Sequence, residues 1–312
     1  METKRPGLLQ RWERLYHRSS IQMILSLSFT AVAVIGMLFL GIALLLRFSS
    51  SANTMAADNT KRILSQVNFN LDRYLHNMMQ VSDTVYYRVV KNADLEQQEK
   101  KEELQNALEL LYAKDRDVLV SLAIFDRDGD LIAATPLADL KNSVMPSREE
   151  WFTTAMERIE NMHFSTPHVQ NLFVDPDIRY HWVVSLSRQV ELTRGGRTQS
   201  GVLLVDMNFS RIEQICKDIS LANGQGYLYL IDSEGEIIYH PRQQLIYAGL
   251  QEENNIVAAD YSDGTHTETF LSQRRQVTIK TVGYTGWKLV GVVPAETLRD
   301  NYSQLLWFAL FM

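Results

Sequence analysis

Residues Ile21 to Leu46 read IQMILSLSFTAVAVIGMLFLGIALLL, 26 positions without a charge. As a helix rising ~1.5 Å per residue this run spans ~39 Å, more than the ~30 Å hydrocarbon core of a bilayer. A core helix of a soluble protein shows a polar face, and this one has none. The run is therefore expected to be a transmembrane helix. A cleaved signal peptide is the competing assignment, with Ser49 to Ala52 as its cleavage site, although an apolar signal region usually holds only ~7–15 residues. Lys4, Arg5, Arg11, Arg14 and Arg18 outweigh Glu2 and Glu13 ahead of the run. Basic residues close to a span favour the cytoplasmic side, which places residues 1–20 inside and the following chain outside. Arg47 weakens that asymmetry without reversing it.

The other end of the chain repeats the theme. After Asn301, Tyr302, Ser303 and Gln304 come Leu305, Leu306, Trp307, Phe308, Ala309, Leu310, Phe311 and Met312. An apolar stretch with an early Trp at belt height reads as the first turns of a second span over 305–312. A short apolar helix docked on the domain is the alternative. On the first reading the chain is the sensory part of something longer.

Between the two runs lie about 256 residues (48–303), too many for one small domain and suited to two compact modules. Of the 31 basic and 37 acidic residues, six basic and two acidic fall within 1–47, so the remainder holds 25 against 35, a net of −10. An acidic outer part argues against nucleic acid as a partner. The single cysteine, Cys216, excludes an intramolecular disulfide. It sits among Ile212, Ile215 and Ile219 on an apolar helix face and reads as a small core filler.

From Ala52 to Lys91 the sequence has neither Gly nor Pro. Ile63, Val67, Leu71, Leu75, Met78, Val81 (or Ser82), Val85 and Val89 recur three and four apart, the signature of a long amphipathic helix. Its stripe packs on its own domain or, in part, against a second copy. A second helix is expected over 95–113, with Leu104, Leu108 and Leu111 inward; the two helices make a stalk over 48–116. The pattern then turns to strands. VLVSLAIFD (118–126), the turn RDGD and LIAAT form a hairpin around Asp128-Gly129. The aspartates there resemble the start of a calcium loop, but the twelfth position is Leu137 rather than Glu.

The same phrase returns later. IFDRDGDLIAATP (124–136) aligns with LIDSEGEIIYHP (230–241), pairing Asp126 with Asp232 and Gly129 with Gly235; GVLLVDMNFS (201–210) echoes WKLVGVVPAE (287–296). These are two α/β modules in tandem, 117–222 and 223–303, with ANGQG (222–226) at the boundary. In the first, a helix is expected over 147–161 with Ser147 as cap. Strands follow near 180–190 and 202–206, separated by the turn ELTRGGRTQ. In the second, strands are expected near 227–231, 236–240, 268–271, 276–282 and 287–293, with YSDGTHTE as a polar turn. The fold class is α+β, with antiparallel PAS-like sheets.

An anchor, a long helix, two tandem five-stranded modules and a second span together resemble the double Cache (dCache) sensory domain of bacterial receptors. The phrases WVVSLSRQVELT, GVLLVDMNFSRIEQ and GEIIYHPRQQL look like the extracellular part of YesM-type sensor histidine kinases. The resemblance covers 1–312. It implies a HAMP linker and a histidine kinase module beyond Met312, with ATP as that module's substrate, acting as a homodimer on a response regulator of a two-component system. It implies no cofactor within these residues. The module 117–222 is then membrane-distal and 223–303 membrane-proximal.

Asp206 ends the apolar run GVLLVD, where a carboxylate needs a partner or water. Arg148 precedes Trp151 and Phe152. An arginine grips a carboxylate with two parallel bonds, an aspartate holds an ammonium, and aromatic faces cover the body between them. The plainer reading makes Arg148 a surface residue, Trp151 and Phe152 core, and Asp206 the cap of the next helix, a task open to Ser210 as well. Tyr180 and Trp182 are candidates for another wall. In amino-acid-sensing double Cache domains the distal module carries an arginine, a Trp-Tyr pair and a later aspartate. Here the arginine stands three residues before Trp151 instead of two, and Phe152 replaces the tyrosine. Amino acids, sugars and short peptides thus remain candidate solutes, as does a solute-binding protein. His163, His168, His181, His240 and His266 show no zinc spacing, and no catalytic constellation is present. The expected function is extracellular small-solute sensing for a kinase. A chemoreceptor or cyclic-dinucleotide enzyme with the same sensor, and a ligand-free structural module, are the alternatives.

Overall fold

The computed structural model describes residues 21–91, 93–136, 139–157, 162–175, 180–217 and 219–296. The basic segment 1–20 and the second apolar run 305–312 lie outside the described residues. The chain divides into two compact units, 1–56 with 298–312, and 57–297.

In the first unit the described residues are helical. Ile21–Leu44 is long and apolar enough to cross a membrane, with a mean hydropathy of 2.4, and none of that window is buried by protein. Phe29, Met37 and Phe39 point outward. Helical pairing satisfies every interior backbone group within the segment itself, the condition for a span in lipid.

The helix, α1, is continuous over Ile21–Thr84 and passes into a π-helical turn at Val85–Val90. Within the second unit it buries Leu64, Val67, Leu71, Leu75, Met78, Val81 and Val85, and Tyr74 Oη donates to the Asn208 carbonyl at 2.9 Å. At its ends the stripe departs from the expected one, with Leu64 and Val90 buried and Ile63 and Val89 only half-buried. The π turn holds an extra residue, so the inward face advances from position 89 to 90. Leu64 reaches inward because the opposing strand presents Gly291, where an added Cβ would lie 2.7 Å from Leu64 Cδ1. The second helix, α2, occupies Gln98–Asp115. It starts later than expected because the Leu95 N–H is committed to the Thr193 carbonyl at 2.8 Å.

The first module's sheet contains β1 (Leu119–Asp126), β2 (Leu131–Thr135), β3 (His163–Phe164), β4 (His168–Val169), β5 (Trp182–Arg194) and β6 (Arg197–Asn208). Its order is β2-β1-β6-β5-β3, with β4 also paired to β5. The second module contains β7 (Tyr227–Ile231), β8 (Ile237–Tyr239), β9 (Gly264–Phe270), β10 (Gln273–Thr281) and β11 (Lys288–Pro294), ordered β8-β7-β11-β10-β9. The two paths are the same, and the pairings between these strands are antiparallel. The sequence repeat is thus a structural repeat.

Several local expectations need correction. The helix expected over 147–161 is a 3-10 turn, Pro146–Arg148, followed by α3 at Glu150–Glu157. Glu149 between them is extended, with ψ 142°, and its carbonyl, not the Ser147 side chain, receives the first helical N–H bonds. The expected turn ELTRGGRTQ shrinks to Gly195-Gly196. Both have positive φ (57° and 73°) and close a tight two-residue hairpin, so β5 and β6 run on through the flanking polar residues. The supposed polar turn YSDGTHTE becomes strand from Gly264 onward, its side chains alternating between half-buried and exposed. Short helices α4 (Phe209–Lys217), α5 (Gln243–Tyr247) and α6 (Asn255–Asp260), with a 3-10 turn at Ala222–Gly224, complete the described elements. Cys216 is buried on α4, and burial pushes its thiol up to about 12.

Candidate functional site

Asp206 lies on β6, the middle strand of the first sheet. It stands opposite Ser121 on β1 and opposite Ser185 on β5. Directly opposed residues of antiparallel strands share a face, so these three side chains converge. Ser121 Oγ donates to Asp206 Oδ2 at 2.6 Å, and Ser185 Oγ donates to Oδ1 at 2.5 Å. Asp206 itself is 1% exposed. Burial pushes its carboxyl pKa up, while the two serine hydroxyls and the charge of His168 pull it back.

His168, on β4, faces the same cluster. Its Nδ1 is 2.9 Å from the Thr166 carbonyl, to which it donates as an N–H, and its Nε2 is 3.3 Å from Ser185 Oγ. Ser165 Oγ accepts the Ser185 N–H at 3.0 Å and fixes the strand at this point. On the far side, α3 brings Trp151 over the sheet. Phe125 and Phe152 hold the indole, at centroid distances of 5.4 and 5.6 Å.

Together these elements enclose a cavity of about 130 Å³, lined among others by Glu149, Trp151, His168, Gln170, Leu204 and Asp206. Gln170 Nε2 is buried there without a hydrogen-bond partner. Two larger depressions, of about 550 Å³ along Met23–Ile35 and about 500 Å³ beside Asp72, Tyr74 and Ile215, are open troughs on helix surfaces. Neither is built around a buried charge, so the smaller cavity carries the chemistry.

Of the six residues singled out in the sequence, the structure brings Trp151 and Asp206 to this cavity. Phe152 lies beside it in the core, 3% exposed. Arg148 is exposed on the 3-10 turn and does not line the cavity. The extended residue Glu149 intervenes between it and α3, so the arginine is not carried on the helix that presents Trp151. Tyr180 (80% exposed) and Trp182 (48% exposed) do not line it either. Trp182 is three positions from Ser185 on one strand, hence on the opposite face. Asp206 does not cap the next helix. The strand continues to Asn208, whose Oδ1 accepts the Ser210 N–H at 3.0 Å.

Sequence reasoning missed Ser121, Ser185, Glu149, His168 and Gln170. For Ser121 a signal existed, since it interrupts the apolar run VLVSLAIF; Ser185 follows the apolar WVV in a strand that already carries Ser187, Arg188 and Gln189, so its signal was weaker. For Gln170 and His168 none did, because they come from the two-residue strand β4 and the irregular residue after it, too short for a readable period.

The second module fills the corresponding place differently. Tyr227 stands opposite Val292 where Ser121 stands opposite Asp206. Tyr227 Oη donates to Glu253 Oε2 at 2.6 Å. Arg275 reaches Glu253 Oε1 at 2.8 Å through Nη2 and Glu268 Oε1 at 2.6 Å through Nε. His240 Nε2 lies 3.4 Å from Glu253 Oε2. These groups pair their charges within one buried cluster, although His240 Nε2 and Arg275 Nη2 make no well-formed hydrogen bond in it. Among the described residues, no group of three or more His, Cys, Asp or Glu is placed to hold a metal ion.

Comparison with known proteins sets this geometry in context. A family model described as Cache domain matches residues 48–301. The methyl-accepting chemotaxis protein TlpA of Bacillus subtilis (strain 168) is 21% identical over 293 residues, covering 93% of this chain and 41% of that protein. A probable methyl-accepting chemotaxis protein of Bacillus thuringiensis subsp. konkukian (strain 97-27) is 21% identical over 299 residues, covering 94% and 42%. The chain thus spans about two fifths of the length of these curated relatives. Among solved structures, the ligand-binding domain of the Pseudomonas aeruginosa PAO1 amino acid chemoreceptor PctB in complex with L-Arg superposes with a TM-score of 0.60 at 16% identity, covering 80% of this chain and 92% of that one. That of the amino acid chemoreceptor PctC from the same strain, in complex with GABA, gives 0.57 at 17% identity, covering 76% and 99%. At such identities the likeness is one of fold.

Proposed function

This chain belongs to the Cache domain family, and we propose that it is the extracytoplasmic, solute-sensing region of a membrane-anchored receptor. The observation that carries this reading is Asp206, a carboxylate buried in a strand interior at the wall of a cavity. Among the described residues only neutral hydroxyls bond to it directly. His168 reaches it only across Ser185; a buried carboxylate with no cation in direct contact is costly, and a solute ammonium in the cavity supplies that contact. Trp151 provides an aromatic face for the same cation. The solved relatives named above, with L-Arg and GABA bound, support an amine-bearing solute.

The sheet offers a route outward. Ser185 and Asp206 face the cavity, while Leu186 and Arg188 of the same β5 face the other way. There Arg188 Nη1 meets Asp83 Oδ1 at 2.6 Å, and its guanidinium lies 5.0 Å from the Tyr86 ring, next to the π turn that follows α1. Occupancy of one face thus changes the surface on which the helix rests. A solute shifts this arrangement only by its differential affinity for two positions of the helix.

Two outputs follow from different observations. The curated relatives favour a methyl-accepting output, whereas the strand phrases around β5, β6 and β8 favour a histidine kinase working as a dimer on a response regulator. In the reading frame after Met312, a methylation-helix coiled coil supports the first and a phospho-accepting histidine box the second. The sensing role itself is tested by thermal melting of the full chain in lipid nanodiscs against a library of primary amines, amino acids and sugars. A melting shift that disappears in Asp206→Ala supports it. A blank across the library, with the parent well folded, overturns it.

A further inference from the structure

Resting on the sensing role just proposed, we infer that the Asp206 cavity selects a small amine carrying a neutral hydrogen-bond acceptor, an amino alcohol or amino amide, over the amino acid of the same skeleton. Three features of the lining lead there. The first is charge. Glu149 and Asp206 line the cavity and, among the described residues, no Lys or Arg does. Lys141 donates to Asn171 Oδ1 at 2.6 Å but does not itself line the cavity, and the His168 imidazole, which does, bonds Ser185 Oγ at 3.3 Å. Arg148, the residue whose sequence position suggested a carboxylate clamp, is exposed and outside it. An ammonium therefore meets one buried carboxylate and a second at the rim, while a solute carboxylate meets two like charges, and the one basic group in the described lining, the His168 imidazole, is already bonded to the Thr166 carbonyl and the Ser185 hydroxyl. Like charges within a site disfavour one another, and the desolvation of that carboxylate goes uncompensated.

The second feature is Gln170. The residue lines the cavity, and its Nε2 is buried without a hydrogen-bond partner. A buried donor left unpaired costs free energy that a ligand acceptor recovers. A hydroxyl or amide oxygen provides that acceptor without a charge. The solute so described has an ammonium at Asp206 and an oxygen at Gln170.

The third feature is size. A water molecule's share of liquid volume is ~30 Å³, so a cavity of about 130 Å³ has room for a few non-hydrogen atoms rather than a hexose or a peptide. Leu204 and the Trp151 indole supply the apolar contact for a short carbon skeleton.

The test compares matched solutes by calorimetric titration of the full chain in nanodiscs: ethanolamine with glycine, L-alaninol with L-alanine, and ethylamine as the amine without an acceptor. The inference expects alaninol to bind roughly tenfold or more tightly than alanine, and ethanolamine more tightly than ethylamine. Gln170→Ala should level ethanolamine and ethylamine while leaving ethylamine binding in place, a result that a misfolded variant cannot produce. Alanine binding as tightly as alaninol, or more so, overturns the inference while leaving the sensing role intact, because the site would then hold a cation for the carboxylate. No binding by any of the five solutes, with parent and Gln170→Ala both melting cooperatively, overturns the inference. The sensing role falls only if the wider library is blank as well.

Discussion

Gly129 and Gly235 hold the same backbone conformation, φ 90° and 92°, at matching points of two hairpins. Around each, an aspartate does the same work. Asp126 Oδ1 accepts the N–H groups of Asp128 and Asp130, and Asp232 Oδ1 accepts those of Glu234 and Glu236. Gly129 N–H bonds the Asp126 carbonyl, as Gly235 N–H bonds that of Asp232. Any side chain at Gly235 meets two obstacles, the positive φ and a Cβ 3.0 Å from Ile256 Cα on α6. Gly235→Val should destabilise the protein by more than ~1 kcal/mol. Equal denaturation midpoints for variant and parent would show that the hairpin tolerates what its geometry forbids.

Asp206→Ala should remove solute binding. It also leaves the Ser121 and Ser185 hydroxyls facing a void, at a cost of about 1–3 kcal/mol. Asp206→Asn keeps the shape and removes the charge. It should melt close to the parent and still fail to bind an amine. Amine binding retained by Asp206→Asn would mean that the carboxylate charge is not what recognises the solute.

Arg148→Ala is expected to leave solute affinity within about twofold, the ordinary range for an exposed substitution. The side chain is exposed on a turn outside the cavity lining. Its position three residues before Trp151 suggested instead a grip on a solute carboxylate. A titration showing loss of binding in this variant would restore the arginine to the site.

That contrast shows where the sequence was readable and where it was not. The apolar run, the hairpin phrases and the repeat were legible because each is a local pattern with a local cause. Trp151 and Asp206 were legible as an aromatic and a charge placed where neither is ordinary. Arg148 falls outside the cavity lining because one extended residue, Glu149, breaks the expected helix, and periodicity cannot show a single ψ. The advance from Val89 to Val90 has the same character, since a π turn shifts the stripe without changing its composition. The ionic cluster of the second module left no trace in the sequence. Its members come from β7, the segment after β8, the loop before α6, β9 and β10, and only the fold brings them together.

Arg188 and Asp83 join β5 to the end of α1, and they should not be equivalent. The guanidinium is 5% exposed and stacked on Tyr86, while the aspartate side chain is 47% exposed. Arg188→Ala loses both packing and pairing and should cost about 2–4 kcal/mol. Asp83→Ala leaves a buried cation that still has its aromatic faces, and should cost less, about 1–2 kcal/mol. Urea denaturation of the two variants checks the order; a larger loss for Asp83→Ala would mean that the charge pair, not the stacking, holds the helix end.

The second module predicts a distinct acid limb in stability. Burial alone would raise the Glu253 carboxyl. The polar contacts of His240, Tyr227 and the Asn254 N–H, with the charge of Arg275, overcome burial and hold it at about 2, below its ordinary value of 4.5. A carboxyl depressed on folding contributes stability that is fully present above the unfolded value and lost as pH falls through the folded one. The window is therefore pH 4.5 down to 2, and the contribution is about 3 kcal/mol at neutral pH. Glu253→Gln should lower the neutral-pH melting temperature and flatten its dependence on pH across that window, because the titrating group is gone. Tyr227→Phe, which removes one donor to the same carboxylate, should move the acid limb to higher pH without abolishing it. Melting curves of parent and both variants between pH 2 and 7 check this, and an unchanged acid limb in Glu253→Gln would place the acid-sensitive group elsewhere in the fold.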